Sequence, residues 1–144
     1  MLEITDISVS YGKHQALEGV SVSVTQGELV VMLGANGAGK STFLRAVAGI
    51  TPKAAGARIT LGGHDISTLP PHDVVEAGIA LVPEGRGVFG ELSVQENLRL
   101  GANPKRARPH AAANMKKILD LFPVLADRRK QMVRTMSGGE QQMV

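Results

Sequence analysis

Gly34-Ala35-Asn36-Gly37-Ala38-Gly39-Lys40-Ser41-Thr42 lies between a short apolar run, Leu29 to Leu33, and a helix expected from about Gly39 to Ala48. The spacing Gly-x4-Gly-Lys-Ser is that of a phosphate-binding loop, and it sits where the mechanism needs it, with a strand before and a helix after. The glycines let the backbone curl so that successive N–H groups face inward. The helix adds the positive end of its dipole. Lys40 is expected to reach the β- and γ-phosphates of a nucleotide, and the Ser41 hydroxyl to ligate Mg²⁺. All nine residues, Gly34 to Thr42, are therefore candidate nucleotide contacts. A plain glycine-rich turn would leave a lysine at a helix N-terminus without a purpose.

Moving outward, residues 2–11 and 20–24 read as strands, the second from the alternation of Val20, Val22 and Val24 with serines. The run Leu29 to Leu33 suits a central strand buried on both faces. Gly49 and Pro52 should stop the helix after the loop. Residues 58–66 predict a hairpin around Gly62-Gly63, Pro70-Pro71 opens a helix that Gly78 closes, and Ile79 to Val82 predicts another buried strand. After Gly90 the pattern turns helical. Ser93 and Glu96 have capping-box spacing for a helix from Val94 to about Gly101. Residues 110–122 predict a further helix with Met115, Ile118, Leu119 and Phe122 on one face.

Composition narrows the partners. A chain of 144 residues fits one domain, and 43% hydrophobic residues suffice for a packed core. The net charge of +3 is too small to argue for nucleic acid, and 3% aromatic residues leave little to stack on bases. The basic groups Lys105, Arg106, Arg108, Lys116, Lys117, Arg128, Arg129 and Lys130 read as a solvated helical surface. With no cysteine, disulfides and thiolate metal sites are excluded. No apolar stretch approaches the roughly 20 residues that span a bilayer, and Met1-Leu2-Glu3 does not open a signal segment. Any membrane connection is expected to run through a partner.

A second constellation selects among phosphate-loop proteins. Met136-Ser137-Gly138-Gly139-Glu140-Gln141 reads from its residues as a helix start, with Ser137 as N-cap, Glu140 as its capping-box partner and two glycines exposing backbone N–H groups. Following a phosphate loop at this distance, it resembles the signature motif of the ATP-binding subunits of ABC transporters, and the resemblance covers the whole chain. Tyr11, in Tyr11-Gly12-Lys13-His14-Gln15-Ala16-Leu17, is similar to the family's aromatic loop. From position alone it is equally a strand-edge tyrosine. Glu84, in Val82-Pro83-Glu84-Gly85-Arg86, stands where the family usually has glutamine. A carboxylate can ligate Mg²⁺ but loses the amide donor and adds negative charge. As a solvated loop residue it would need no such role.

The resemblance implies an α/β fold of the P-loop NTPase, ABC ATPase type. It would comprise a β-rich N-terminal subdomain and parallel-sheet phosphate-loop core over 1–89, a helical subdomain over 90–136 and the start of the signature helix over 137–144, incomplete at the C-terminus. It implies ATP and Mg²⁺ as ligands, with Tyr11 stacking on adenine and Ser41 and Glu84 at the metal. Ser137, Gly138, Gly139 and Glu140 would dock on the γ-phosphate held by an opposite subunit. Leu81-Val82-Pro83-Glu84-Gly85-Arg86, Leu121-Phe122-Pro123 and Thr135 to Gln142 narrow the resemblance to the second ATPase subunit of branched-chain amino-acid importers. ATPases of urea or short-chain amide importers are similar.

The implied partners are a second ATPase subunit (the same or a different chain), transmembrane permease subunits and, through the complex, a periplasmic or extracellular binding protein. Nucleic acid is not among them. The implied location is peripheral, on the cytoplasmic face of a bacterial membrane. The family's Mg²⁺-binding aspartate, catalytic glutamate and switch histidine follow the signature helix, and no candidate for them occurs before Val144. The four histidines, 14, 64, 72 and 110, all precede the signature. The 144 residues are therefore expected to bind ATP without appreciable turnover, and to be marginally stable or aggregation-prone. A GTPase would carry an Asn-Lys-x-Asp guanine reader, absent here, and a small-molecule kinase would not need Ser137-Gly138-Gly139. An ABC protein of DNA repair or translation would usually carry a second cassette or long coiled-coil insertion.

Overall fold

The computed structural model describes residues 1–85 and 87–144, so Arg86 of the Leu81–Arg86 motif lies outside the described residues. The chain divides into two compact units, Met1–Leu81 and Val82–Val144.

In the first unit, β1 (Leu2–Tyr11) and β2 (His14–Val24) form a long hairpin. β3 (Arg58–Leu61) adds to the other edge of β1 and carries the short β4 (His64–Asp65), giving the order β2-β1-β3-β4 with every pairing antiparallel. The inward residues of β1 are Ile4, Ile7 and Val9, so strict alternation slips once between Ile4 and Ile7. A bulge absorbs the slip: Asp6 takes φ 58°, and its N–H donates to Ser21 Oγ at 2.9 Å. On β2, Val20, Val22 and Val24 are half-buried while the intervening serines are exposed, as their alternation predicts. Helix α1 (Lys40–Val47) inserts Phe43, Ala46 and Val47 into the core beside Ile4, Ile7, Val9, Leu17, Ile59 and Ile66. Helix α2 (Pro71–Ala77) starts with proline in its first turn and ends at Gly78, as expected.

Two strand expectations fail. Neither Leu29 to Leu33 nor Ile79 to Val82 forms a strand, and both runs are largely open, with Leu29 88%, Leu33 90% and Val82 89% exposed. A strand is held by its ladder, and neither run finds a pairing partner among the described residues. Their apolar composition still marks them as sequence suited to burial. The parallel sheet expected around the phosphate loop is consequently not formed among the described residues.

The second unit is helical. α3 (Val94–Gly101) carries the expected capping box, with Ser93 Oγ accepting from Glu96 N–H at 3.3 Å and Glu96 Oε2 accepting from Ser93 N–H at 2.8 Å. α4 (Ala111–Leu121) buries Leu119 and packs Met115 and Ile118 behind it, with Phe122 just beyond its end, in a core built on Val94, Leu125, Val133 and Met136. α5 (Pro123–Asp127) and a single 3₁₀ turn, Val133–Thr135, lead to α6 (Gly138–Met143). No helix among the described residues is long and apolar enough to cross a membrane.

Candidate functional site

The phosphate loop is positioned from below by α1. Burial of Phe43, Ala46 and Val47 fixes the helix against the sheet, and so fixes where its N-terminus and the preceding loop must lie. Gly39 is the N-cap in the left-handed conformation, φ 85°, and its carbonyl accepts from Phe43 N–H at 2.8 Å. Space forbids any side chain there, since a Cβ would lie 2.7 Å from Leu17 Cδ2 and 2.8 Å from the Ala16 carbonyl oxygen. The glycine at this position is thus required twice, by conformation and by contact with β2.

The loop is closed on itself by Lys40, whose Nζ donates to the carbonyl oxygens of Gly34 and Ala35, both at 2.7 Å. These bonds tether the ammonium to the start of the loop that precedes its own helix. No acidic residue occupies the first turn of α1, while Arg45 stands in the last turn. The electrostatics therefore favour an anion at the loop end, from the helix dipole and the lysine together. Ser41 is exposed and Thr42 half-buried.

Tyr11 closes the β1–β2 hairpin opposite His14 and is 48% exposed. Its phenol is held below the ordinary value of 10.0 by hydrogen bonds from the Thr42 hydroxyl, then Thr51, with a smaller contribution from Arg45. The structure thus places the sole tyrosine beside the phosphate-loop helix, with part of its surface open.

The residues suit the expected ligands. A tethered lysine, inward-curling glycines and an uncompensated helix N-terminus are the parts of a polyphosphate cradle. No group of three or more His, Asp or Glu side chains gathers as a metal cage among the described residues. The hydroxyls of Ser41 and Thr42, at the start of α1, are oxygen donors of the kind that Mg²⁺ takes alongside phosphate and water.

In the second unit the Ser137 turn is built as its sequence predicts. Glu140 N–H donates to Ser137 Oγ at 3.4 Å, and Ser137 N–H donates to Glu140 Oε2 at 2.9 Å. Gly139 is exposed, and a Cβ there would meet nothing within 4 Å. Among the described residues, no neighbour requires glycine at that position. Glu84 lies exposed in the bend at Glu84–Gly85 of the same unit.

Sequence reasoning missed two fasteners of this turn. Arg128 Nη1 lies 3.0 Å from Glu140 Oε1. The buried Gln141 amide donates to the carbonyls of Val133 at 2.9 Å and Met136 at 3.0 Å. Arg128 gives no periodic signal because it reaches α6 from the loop after α5. A glutamine just inside a capping box, beside an apolar turn, was the available hint for Gln141. The Glu140 carboxyl is held below its ordinary 4.5, first by the Ser137 backbone N–H, then by the Ser137 hydroxyl, and least by Arg128.

Beside the curled, lysine-tethered loop and the capped Ser-Gly-Gly-Glu turn stands a likeness over most of the sequence, and the chain belongs to the ABC transporter family. The family model for ABC transporters matches residues 17–144. A high-affinity branched-chain amino acid transport ATP-binding protein (BraG) of Pseudomonas aeruginosa is 46% identical over 144 residues, 100% of this chain and 61% of the relative. A probable branched-chain amino acid transport ATP-binding protein (LivF) of Archaeoglobus fulgidus is 33% identical, over 100% of this chain and 60% of its own length. The solved structure of an ATP-binding subunit of an ABC transporter superposes with TM-score 0.82 at 29% identity, covering 99% of this chain and 58% of that one. The chain thus spans about 60% of the length of these two curated relatives.

Proposed function

We propose that this chain is the nucleotide-gripping part of the ATP-binding subunit of an importer, one that couples ATP binding and hydrolysis to uptake of branched-chain amino acids. The observation that carries the reading is the Lys40 ammonium tethered over the mouth of the loop at the N-terminus of α1. Likeness to two branched-chain amino acid transport ATP-binding proteins supports the substrate class. In this reading Gly34 to Thr42 hold the phosphates, Tyr11 offers its open ring surface to the adenine and Ser41 turns its hydroxyl to the metal. When bound, Mg²⁺ would neutralise phosphate charge and orient the terminal phosphate. Glu84 is assigned to the same ion by resemblance alone.

Ser137 to Glu140 are read as the surface that meets a phosphate held by a second ATP-binding subunit. The open space at Gly139, where a Cβ would meet nothing within 4 Å among the described residues, leaves room for such an approach. Permease subunits complete the transporter, a binding protein delivers the solute, and the assembly places this chain peripherally on the cytoplasmic membrane face. The family's subdomain scheme, 1–89, 90–136 and 137–144, belongs to the same reading.

The test is ATP-driven uptake of labelled leucine by proteoliposomes carrying the full-length protein with its permease subunits. Uptake should require ATP and vanish with Lys40→Ala. Binding of ATP with no effect on leucine uptake would contradict the importer reading while leaving the nucleotide site intact.

A further inference from the structure

We propose that Arg128 is a positioning residue for the Ser137 turn, acting through the carboxylate of Glu140. The proposal rests on reading Ser137 to Glu140 as the surface that meets a phosphate held by a second ATP-binding subunit.

The two oxygens of Glu140 do separate work. Oε2 accepts the Ser137 N–H at 2.9 Å, and Oε1 faces Arg128 Nη1 at 3.0 Å. A carboxylate held at one oxygen can swing about that bond, whereas one held at both has a single orientation. The Ser137 hydroxyl and the backbone after it inherit that orientation, because the capping box ties residues 137 and 140 together in both directions.

This ion pair differs from the ordinary surface pairs of the chain. Lys116–Asp120 and Arg58–Asp65 span 3.7 Å with side chains 55–82% exposed. Arg128–Glu140 spans 3.0 Å with side chains 43% and 20% exposed. Shorter distance and partial shielding both strengthen the attraction and reduce screening. The guanidinium is delivered from firm backbone, since Arg128 N–H donates to Val124 O at 3.2 Å at the end of α5, and Leu125 of that helix is fully buried.

A purely structural role is already filled. Gln141 roots α6 in the second core through the carbonyls of Val133 and Met136, both buried residues. Arg128 is exposed and contributes no apolar core, so its loss should leave the unit folded. What it adds is the setting of the turn that faces outward.

The test is ATP-dependent association of two full-length ATP-binding subunits, followed by sedimentation for wild type, Arg128→Ala, Arg128→Lys, Glu140→Gln and the Arg128→Ala/Glu140→Gln double variant. Arg128→Ala should weaken association about fivefold, the scale of one partly shielded ion pair. Arg128→Lys should recover most of the loss. Added to Glu140→Gln, which caps Ser137 without a carboxylate, Arg128→Ala should cost less than about twofold more. ATP affinity of the separated subunit should stay at the wild-type value in Arg128→Ala and Arg128→Lys.

Wild-type association by Arg128→Ala, or an equal loss with and without Glu140→Gln, would overturn the proposal. If the wild type binds ATP but does not associate, the reading of Ser137 to Glu140 itself fails and the proposal goes with it.

Discussion

The Nζ of Lys40 sits 2.7 Å from the carbonyl oxygen of Gly34, the first residue of the loop that ends at Lys40 itself. One side chain thus joins the start of the loop to its end and brings a positive charge to the helix N-terminus. This relation determines which substitutions should separate ligand binding from folding.

Gly39→Ala should damage both. The left-handed φ strains any side chain, and the new Cβ would strike Leu17 Cδ2 and the Ala16 carbonyl. Backbone strain of this kind costs about 1–3 kcal/mol, and the contacts add to it. A thermal melt should show a lowered Tm. Adding Leu17→Ala should lower the Tm further, because it removes one contact but empties a core position and leaves the strained backbone and the Ala16 carbonyl.

Gly139→Ala should do the opposite. With open space around a Cβ and helical geometry in α6, alanine should leave stability unchanged or raise it by about 0.5–1 kcal/mol. ATP-dependent association of two subunits should nevertheless fall sharply. A variant that melts at or above the wild-type temperature yet associates normally would contradict a close approach at Gly139.

The capping boxes predict an acid sensitivity of definite sign. Glu96 and Glu140 both lie below their ordinary 4.5, held by Ser93 (hydroxyl first) and Ser137 (backbone N–H first). A carboxyl whose folded value is depressed contributes stability that is present above its unfolded value and is lost as pH falls through its folded one. The Tm advantage of wild type over Glu96→Gln/Glu140→Gln should therefore be steady above about pH 5 and shrink below about pH 4. An advantage that persists unchanged to pH 3 would exclude these carboxylates as its source.

Exposure of the Leu29 to Leu33 run predicts association of the 144 residues without nucleotide. Leu29 and Leu33 are almost fully open beside a largely open Val31, in a strand-forming sequence without a ladder partner among the described residues. Replacing both leucines by serine should raise the concentration at which light scattering begins. An unchanged onset would place the aggregation elsewhere.

Local signals carried most of what the sequence revealed. The phosphate loop, both capping boxes, the hairpin at Gly62-Gly63 and the α4 face depend on residues within a few positions of each other, so spacing alone announces them. The two buried strands were misplaced because apolar composition records suitability for burial, whereas a strand also needs a neighbour. The β1 bulge at Asp6 was hidden because it depends on a cross-strand bond to Ser21. The Arg128–Glu140 pair escaped for the same reason, since it joins a loop after α5 to a helix twelve residues on and follows no helical or strand period.

Calorimetric titration with ATP, ADP and adenosine, on wild type and Lys40→Ala, tests the grip on phosphate most directly. ATP and ADP should bind the wild type, adenosine should bind at least about a hundredfold more weakly, and Lys40→Ala should lose the difference. Adenosine binding as tightly as ATP, or full ATP affinity in Lys40→Ala, would contradict the account.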